Sequence, residues 1–393
     1  MVVGFFDEFS GYQETILAEA LRKMGHDVSV VASNRCNPIF SNVTDSQGKT
    51  YGVGTSSGPL GMVRRLKASV VIRSMVFCRG LSQAIRETTP DIVVFFYPGQ
   101  LMPALAAIQL RKWQGPKKVA VYADNEAQIR SLRGVSRLAK AAAFRGTKGI
   151  LYRLVNKSVD CVLGNTGNCL QIIDEYSKGN ATQLLPLGYR EEIFRLDGEL
   201  RHQVRDRLGI RPEEILVANV GKMQPVKKIE ILCVAIENLL RDEMPVRLFL
   251  GGANDSEYCQ KIREMIQSSE LLEHAVTMTG FIDQKEINGM YNAADVGVWP
   301  VQPAVSIQQA MGTGLFVVLP KNDYVDHLLT EETGLYFAEG DDHQLEEALK
   351  SIVSESKLLE SKSRAARAQQ NAGRYSGRAI AEFFLQLVHQ SRN

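Results

Sequence analysis

Lysine side chains cluster in a short segment where an apolar strand gives way to a helix. The strand ILVANV (215–220) ends at Gly221, and the loop before the next amphipathic helix carries Lys222, Lys227 and Lys228. Ammonium groups beside a helix N-terminus favour an anion, because the charges and the helix dipole act in the same direction. The segment therefore predicts a diphosphate site, although a solvated lysine-rich loop would have the same composition.

Two other segments have polar groups suited to phosphates or sugars. The segment PVQPAVSIQQA (300–310) holds Ser306 and a run of backbone amides that leads into a helix, where an anion can be bound. In FSGYQ (9–13), Gly11 permits the close approach of a phosphate or an acceptor to the first helix. An ordinary loop glycine is an equally good interpretation of Gly11.

The order of apolar segments indicates what positions these residues. Strands alternate with amphipathic helices in the first half, the pattern lapses over 184–200, and the alternation then starts again. This pattern is typical of a parallel, doubly wound sheet. We therefore predict an α/β protein with two facing Rossmann-like domains, residues 1–188 and 189–375, and ligands in the cleft at the carboxyl ends of the strands. A C-terminal helix at about 376–391 is expected to pack back onto the first domain. The predicted strands are 1–6, 27–33, 91–96, 117–123, 159–164, 215–220, 246–250, 276–279, 296–299 and 315–319.

Composition limits the class of protein. With 393 residues, 45% apolar and 23% charged, the chain is long enough for two globular domains and is not of a disordered type. Its start, MVVGFFDEF, is predicted as a strand rather than a leader, and Pro98-Gly99 and Pro103 break the apolar segment 91–110. Six scattered cysteines indicate a reduced, cytoplasmic protein with neither disulfides nor a zinc site.

The ordered set of motifs resembles the retaining GT-B glycosyltransferases of the large family 4 type, which make polysaccharides and glycolipids. That family has a strand and Gly-Arg, then Lys-Gly, and later Gly-Phe, Tyr-x-x-Ala-Asp and Glu-Ala-x-x-x-Gly before a strand. The similarity covers nearly the whole chain, including the first half and the linker. The matching residues are Gly11, Gly25, His26, Pro186, Gly188, Phe194, Gly221, Lys227, Gly280, Phe281, Tyr291, Ala294, Asp295, Ala310 and Gly314.

The resemblance implies roles for individual residues. Lys222 stands at the family's arginine and Lys227 at its lysine, which together neutralise the donor diphosphate in place of a metal. Gly11 and Gly221 take the family's glycine positions beside the donor. Phe281 and Ile282 stand where backbone groups hold the nucleotide base, and Ser306 and Ile307 where the helix start meets phosphates and sugar. Asp124, at the end of a strand, is the candidate for contact with the donor sugar or acceptor hydroxyl, and an N-cap is its alternative role.

This sequence departs from the family pattern at the paired glutamates. Gln309 occupies the position of the glutamate that grips the ribose hydroxyls, and the earlier glutamate falls at Val301, or at Gln302 after a one-residue shift. A Gln carbonyl can accept a ribose hydroxyl, but it lacks the charge that strengthens the hydrogen bond. Lys222 likewise keeps the charge of an arginine and loses its bidentate fork.

The reaction that the resemblance implies is transfer of a hexose-type sugar, with retention and without a metal or other cofactor. The donor would be a nucleotide sugar, and the acceptor a saccharide or a polyprenyl-linked saccharide. A nucleotide-sugar epimerase would need carboxylates that 299–314 does not offer. A degenerate GT-B protein, binding a nucleotide sugar or a partner transferase without turnover, is the alternative that the missing glutamates favour.

Charge is distributed unevenly between the two halves. Residues 1–190 hold 24 Lys and Arg against 13 Asp and Glu, and the remainder holds 22 against 31. The basic residues concentrate in 61–80 and 128–157, which are predicted either to lie on an anionic membrane surface or to be solvated helices. Few aromatic residues interleave with these charges, so nucleic acid is not expected as a partner. The prediction is a cytoplasmic protein, peripheral on the inner face of a membrane.

Overall fold

The chain divides into two compact units, and each is described by itself. A computed structural model describes residues 1–8, 11–35, 51–72, 75–123, 144, 146–177, 182–301, 304–355 and 363–391. Unit 1 comprises Met1–Leu187 together with Gly377–Asn393, and unit 2 comprises Gly188–Ser376. Within the described residues, no helix is long and apolar enough to cross a membrane.

Unit 1 is built on a largely parallel sheet with the strand order β10-β9-β8-β7-β1-β2-β4-β3, in which only the β3–β4 pairing is antiparallel. Strands β5 and β6 form a separate antiparallel pair. The strands of unit 1 are β1 Val2–Val3, β2 Ser29–Ser33, β3 Gly54–Gly58, β4 Gly61–Leu66, β5 Ala68–Ile72, β6 Met75–Cys78, β7 Ile92–Phe96, β8 Lys117–Tyr122, β9 Cys161–Gly164 and β10 Thr182–Leu184.

Helices cover the sheet of unit 1. The first helix places Ile16, Leu17 and Leu21 inside, because these residues recur at the spacing of one helical face. The C-terminal helix packs against it and contributes Ile380 and Phe384 to the same core. The helices of unit 1 are α1 Gln13–Lys23, α2 Leu81–Arg86, α3 Leu101–Leu110, α4 Lys148–Asn156, α5 Gly167–Asp174 and, at the end of the chain, α14 Gly377–Gln390.

Unit 2 has one parallel sheet with the order β13-β12-β11-β14-β15-β16. Its strands are β11 Ile215–Val220, β12 Val246–Gly251, β13 Val276–Thr279, β14 Val296–Val298, β15 Phe316–Lys321 and β16 Gly334–Ala338. Its helices are α6 Gly198–Leu208, α7 Ile229–Arg241, α8 Glu257–Gln267, α9 Glu270–Ala275, α10 Gln284–Ala293, α11 Val305–Gly312, α12 Asp342–Ser354 and α13 Arg364–Tyr375. The prediction of two parallel-sheet α/β domains is confirmed.

The basic segment 61–80 is where the sequence-based interpretation is wrong. It forms β4, β5 and β6 rather than an amphipathic surface helix. Arg65 is buried, donates to the carbonyl of Phe6 at 3.0 Å, and lies over the ring of Tyr51 at 3.8 Å. Arg64 pairs with Glu87. These two guanidinium groups therefore have partners within unit 1, whereas Lys67 and Arg79 of the same segment are exposed. Arg73 of this segment, and residues 128–143 and Arg145 of the second basic segment, lie outside the described residues.

Candidate functional site

The strand order of unit 2 defines where a ligand should bind. The chain runs outward from β11 to β12 and β13 on one side, and returns to β14, β15 and β16 on the other. In such sheets, ligands bind at the carboxyl ends of the two neighbouring strands where the order reverses. In unit 2 these strands are β11, followed by Gly221, and β14, followed by the segment that leads to α11.

The loops after β11 and β12 approach each other very closely. The amide of Gly221 donates to the carbonyl of Gly251 at 3.0 Å, and the amide of Gly252 donates to that of Gly280 at 3.0 Å. Gly252 has a φ of +101°, and a Cβ there would collide with the carbonyl oxygen of Gly221. Glycine at 252 is therefore required both by the backbone conformation and by this contact.

Helix α11 begins beside Gly221. Ser306 Oγ accepts a hydrogen bond from Trp299 Nε1 at 3.1 Å, and it would lie 3.7 Å from a Cβ on Gly221. Ala304 gives the helix no side-chain cap, and the amide of Ile307 donates to the Ala304 carbonyl at 3.0 Å. The first amides of α11, those of residues 305 and 306, precede that bond and are the ones that a ligand can use.

Lys222 and Lys227 lie in the loop between Gly221 and α7. Lys222 is exposed, whereas Lys227 is half-buried at the end of a short 3-10 turn, Pro225–Lys227. Burial lowers the pKa of the Lys227 ammonium to about 8. Lys228 has a left-handed backbone, with φ +49° and ψ +49°, at the position where the resembled family has glycine. A lysine in this conformation is strained by about 1 kcal/mol relative to glycine.

The N-terminus of α7 differs from the sequence-based expectation. The amide of Ile229 donates to the hydroxyl of Tyr258 at 2.7 Å, and that hydroxyl donates to Glu230 at 2.5 Å. This helix start is therefore capped by the protein itself and faces a carboxylate, so α11 offers an anion the better helix N-terminus. Tyr258 was missed because it comes 29 residues after Ile229 in the chain. A groove of about 760 Å³ adjoins this cap, and among its lining residues are Met223, Pro225, Glu230, Asn254, Tyr258 and Lys261.

The other predicted site residues lie in both units. Phe281 is 69% exposed, whereas Ile282 is partly buried, with its Cδ1 3.2 Å from the position of a Cβ on Gly251. Gln309 is half-buried on α11, one turn after Ser306. Gly11 belongs to unit 1, where its φ of +64° precedes α1. Asp124 and Gln302 lie outside the described residues, and their assignments stay predictions.

Two of the motif residues that carry the resemblance are structural in this protein. The carboxylate of Asp295 accepts hydrogen bonds from Arg201 at 2.5 Å, from Arg205 at 2.9 Å and from the amide of Leu216 at 2.8 Å. It thereby fixes α6 to the start of β11. Tyr291 is fully buried in the core between α10 and the sheet. Asp295 therefore positions a helix and a strand, and the ring of Tyr291 packs against that of Trp299, whose Nε1 donates to Ser306.

Family models match both units. Residues 15–188 match the family described as glycosyl transferase 4-like domain, and residues 214–355 match the family described as glycosyl transferases group 1. The match at 15–188 corresponds to unit 1, and the match at 214–355 lies within unit 2. The chain belongs to the family 4-type glycosyltransferases of the GT-B fold.

Individual relatives of this GT-B protein are distant. It is 21% identical over 238 residues to the alpha-monoglucosyldiacylglycerol synthase of Streptococcus pneumoniae, a match that covers 58% of this chain and 53% of the relative. The match thus spans about half the length of that curated relative. Sucrose-phosphate synthase from Thermosynechococcus elongatus superposes with a TM-score of 0.70 at 20% identity, covering 96% of this chain and 92% of that structure. Anabaena HepE in complex with UDP-glucose gives 0.67 at 14% identity, covering 99% and 98%. Such identities establish the fold alone.

Proposed function

We propose that the protein transfers a hexose-type sugar from a nucleotide-sugar donor to a saccharide or lipid-linked saccharide acceptor. This proposal rests on the switch point of unit 2, where the loop that carries Lys222 and Lys227 follows β11 and the start of α11 follows the neighbouring strand β14. Both lysines follow β11, and Ser306 at the start of α11 lies beside Gly221. A nucleoside diphosphate is the kind of ligand that such a site would hold.

The proposed reaction proceeds with retention at the anomeric carbon and without a metal. The leaving diphosphate oxygen accepts the proton of the acceptor hydroxyl on the same face of the sugar, so no protein nucleophile is required. Lys222 and Lys227 stabilise the negative charge that develops on the phosphates as the glycosidic bond breaks. The diphosphate favours the ammonium form of Lys227, which burial disfavours in the free protein.

The direct test has two stages. A thermal-shift panel of UDP-, GDP-, ADP- and dTDP-sugars identifies the donor, because a ligand that binds only the folded protein raises its melting temperature. Transfer is then followed with that donor, with and without EDTA, and the anomeric configuration of the product is read by NMR. No shift with any nucleotide sugar contradicts the proposal, and an inverted product contradicts retention.

The alternative is a degenerate protein that binds a nucleotide sugar without turnover, and Gln309 in place of a glutamate favours it. Slow release of nucleoside diphosphate from the donor in the absence of acceptor indicates live chemistry. If Gln309 holds the ribose, Gln309→Glu should preserve or strengthen nucleotide binding, whereas Gln309→Leu should weaken it by about 1–3 kcal/mol. Equal affinity in the three proteins would place Gln309 outside the site.

We also propose that unit 1 contacts an anionic membrane that carries a lipid-linked acceptor. Helix α4 exposes Ile150 and Leu154, 48% and 41% accessible, beside the exposed Arg153 and Lys157. Apolar side chains flanked by cations suit a lipid interface. The name of the pneumococcal relative, a glucosyldiacylglycerol synthase, gives further support to a lipid acceptor.

Liposome flotation tests this contact. Recovery should be higher on anionic than on neutral vesicles, and it should fall at high salt because exposed charges are screened within about 10 Å at 0.1 M. The double variant Arg153→Ser/Lys157→Ser should lose most of the recovery. The control Arg111→Ser/Lys112→Ser removes two exposed cations elsewhere on unit 1 and should retain it. Equal recovery on neutral and anionic vesicles would contradict the contact.

A further inference from the structure

A buried indole connects the start of α11 to the central strand of unit 2. Trp299, the residue after β14, is 3% exposed, and its Nε1 lies 3.1 Å from Ser306 Oγ. The same Nε1 lies 3.3 Å from the carbonyl oxygen of Val220, the last residue of β11. One N–H group is therefore shared between the first turn of the helix and the strand that Gly221 follows.

A buried phenol reaches the same place from α10. The ring of Tyr291 is fully buried, and its centroid lies 6.2 Å from that of Trp299. Burial raises the pKa of the Tyr291 phenol and the hydroxyl of Ser306 lowers it, so the two hydroxyl groups are neighbours. The Tyr291 hydroxyl forms no hydrogen bond with any residue that the structure describes. Because a buried hydroxyl without a partner destabilises the folded state, the stability of the free protein does not account for it.

The donors and acceptors of these three side chains can be counted. An indole N–H only donates, whereas a hydroxyl has one hydrogen to donate and two lone pairs that accept. Ser306 Oγ already accepts from Trp299. When Tyr291 also donates to Ser306, both lone pairs of Oγ are filled and its hydrogen is the only group left to offer. A serine hydroxyl in that state acts as a donor, and its strongest partner is an anion.

The space beside this hydroxyl is open to a ligand. A Cβ on Gly221 would meet, within 4 Å, only Ser306 Oγ among the described atoms, at 3.7 Å. The first amides of α11 lack a side-chain cap, because Ala304 stands at the N-cap position. The hydrogen of Ser306 and these amides are therefore donors at the same helix start, and they suit the same anion.

We propose that Trp299 and Tyr291 are positioning residues that make Ser306 a dedicated hydrogen-bond donor to an anion bound at the start of α11. When the anion binds, the Tyr291 hydroxyl donates to Ser306 Oγ, and Ser306 donates to an oxygen of the anion. The two aromatic residues touch no ligand and act through Ser306. That the anion is a nucleoside diphosphate rests on the proposed function.

Tyr291→Phe should have two effects of opposite sign. It removes a buried hydroxyl that has no partner in the free protein, so the melting temperature should stay the same or rise. It also removes the second donor to Ser306, so the affinity for the nucleoside diphosphate that the thermal-shift panel selects should fall about fivefold by calorimetry. Binding of the corresponding nucleoside, followed by saturation-transfer NMR, should be unchanged. A merely structural role would not weaken the diphosphate alone.

A double-mutant cycle tests whether Tyr291 acts through Ser306. Ser306→Ala should weaken the diphosphate at least as much as Tyr291→Phe, and adding Tyr291→Phe to Ser306→Ala should have no further effect. Tyr375→Phe is the matched control, since it removes the hydroxyl of another buried tyrosine of unit 2, one that donates to the carbonyl of His327 at 2.8 Å. It should lower the melting temperature and leave diphosphate affinity within twofold of the wild type.

The role of Trp299 is read from its indole N–H. The chain has two tryptophans, Trp113 and Trp299, so a proton–nitrogen NMR spectrum has one indole resonance from each, and Trp113→Phe assigns them. The diphosphate should shift the Trp299 resonance in the wild type, whereas Ser306→Ala should remove most of that shift.

The inference is overturned if Tyr291→Phe binds the diphosphate as tightly as the wild type, or if its effect adds fully to that of Ser306→Ala. A Trp299 resonance that the bound diphosphate leaves in place would also overturn it. Failure of the wild type to bind any nucleoside diphosphate would instead contradict the proposed function.

Discussion

The two units have the same kind of sheet but opposite chemistry at the point where the strand order reverses. In unit 2, Lys222 and Lys227 follow the central strand and the open amides of α11 lie beside it. In unit 1, Glu14 and Tyr97 occupy the corresponding region. The fold thus supplies two equivalent crevices whose side chains differ: lysines and helix amides in one, and a buried acid bonded to a phenol in the other.

Each of these regions contains an ionisable side chain whose pKa is shifted by burial. Burial lowers the pKa of Lys227 to about 8 and raises that of Glu14 to about 7. In each case the low-polarity surroundings disfavour the charged form of the side chain. We propose that a bound diphosphate stabilises the charged form of Lys227.

The largest expected effect comes from removing the cation of Lys227. Lys227→Ala should reduce transfer by about 100-fold or more, since it removes the charge that stabilises the leaving diphosphate. The melting temperature should change little. Lys285→Ala, which removes an exposed lysine at the start of α10, is the control and should be fully active. Full activity of Lys227→Ala would show that transfer does not need this cation, and it would contradict the proposed difference between the two crevices.

A smaller effect concerns stability and Glu14. Because its folded-state pKa is raised from 4.5 to about 7, the unfolded chain releases this proton first as the pH rises. Wild-type stability should therefore fall between about pH 4.5 and 7, by a contribution on the order of 3 kcal/mol from this residue. In Glu14→Gln that contribution is absent, so urea unfolding of the variant should depend less on pH over this range. Identical pH profiles for the two proteins would show that Glu14 ionises normally.

The sequence predicted the fold better than it predicted contacts between distant segments. Strands such as β11 and β12 were predicted nearly residue for residue, because their apolar runs and the intervening amphipathic helix are local patterns. Glu14 contacts Tyr97, a residue 83 positions away in the chain, and no local sequence pattern predicts that contact. Arg65 was interpreted as a surface cation because charge alone does not reveal the carbonyls and the Tyr51 ring that surround it in the folded chain.

From the sequence, only the loops of the candidate donor site could be predicted. The position of Lys227 after β11 followed from the strand–loop–helix pattern, and Ser306 was predicted only as part of a segment that leads into a helix. Its placement beside Gly221 is a tertiary contact that the sequence did not predict. The cap of α7 by Tyr258 did not follow, because it depends on the packing of α8 against α7. Sequence patterns therefore predicted the edge of the sheet at which the site lies. Tertiary contacts determine which helix N-terminus at that edge has uncapped amides.

The central claim, that Lys227 binds a diphosphate through its charge, is tested most directly by the pH dependence of UDP affinity, or of the nucleotide that the thermal-shift panel selects. Calorimetry should give a dissociation constant that rises by no more than about twofold from pH 7 to 8. Above pH 8 the constant should rise by about tenfold per pH unit, because the free protein loses the Lys227 proton that the complex needs. Lys227→Arg, which stays charged throughout, should show no such rise. The same pH dependence in wild type and Lys227→Arg would contradict the account.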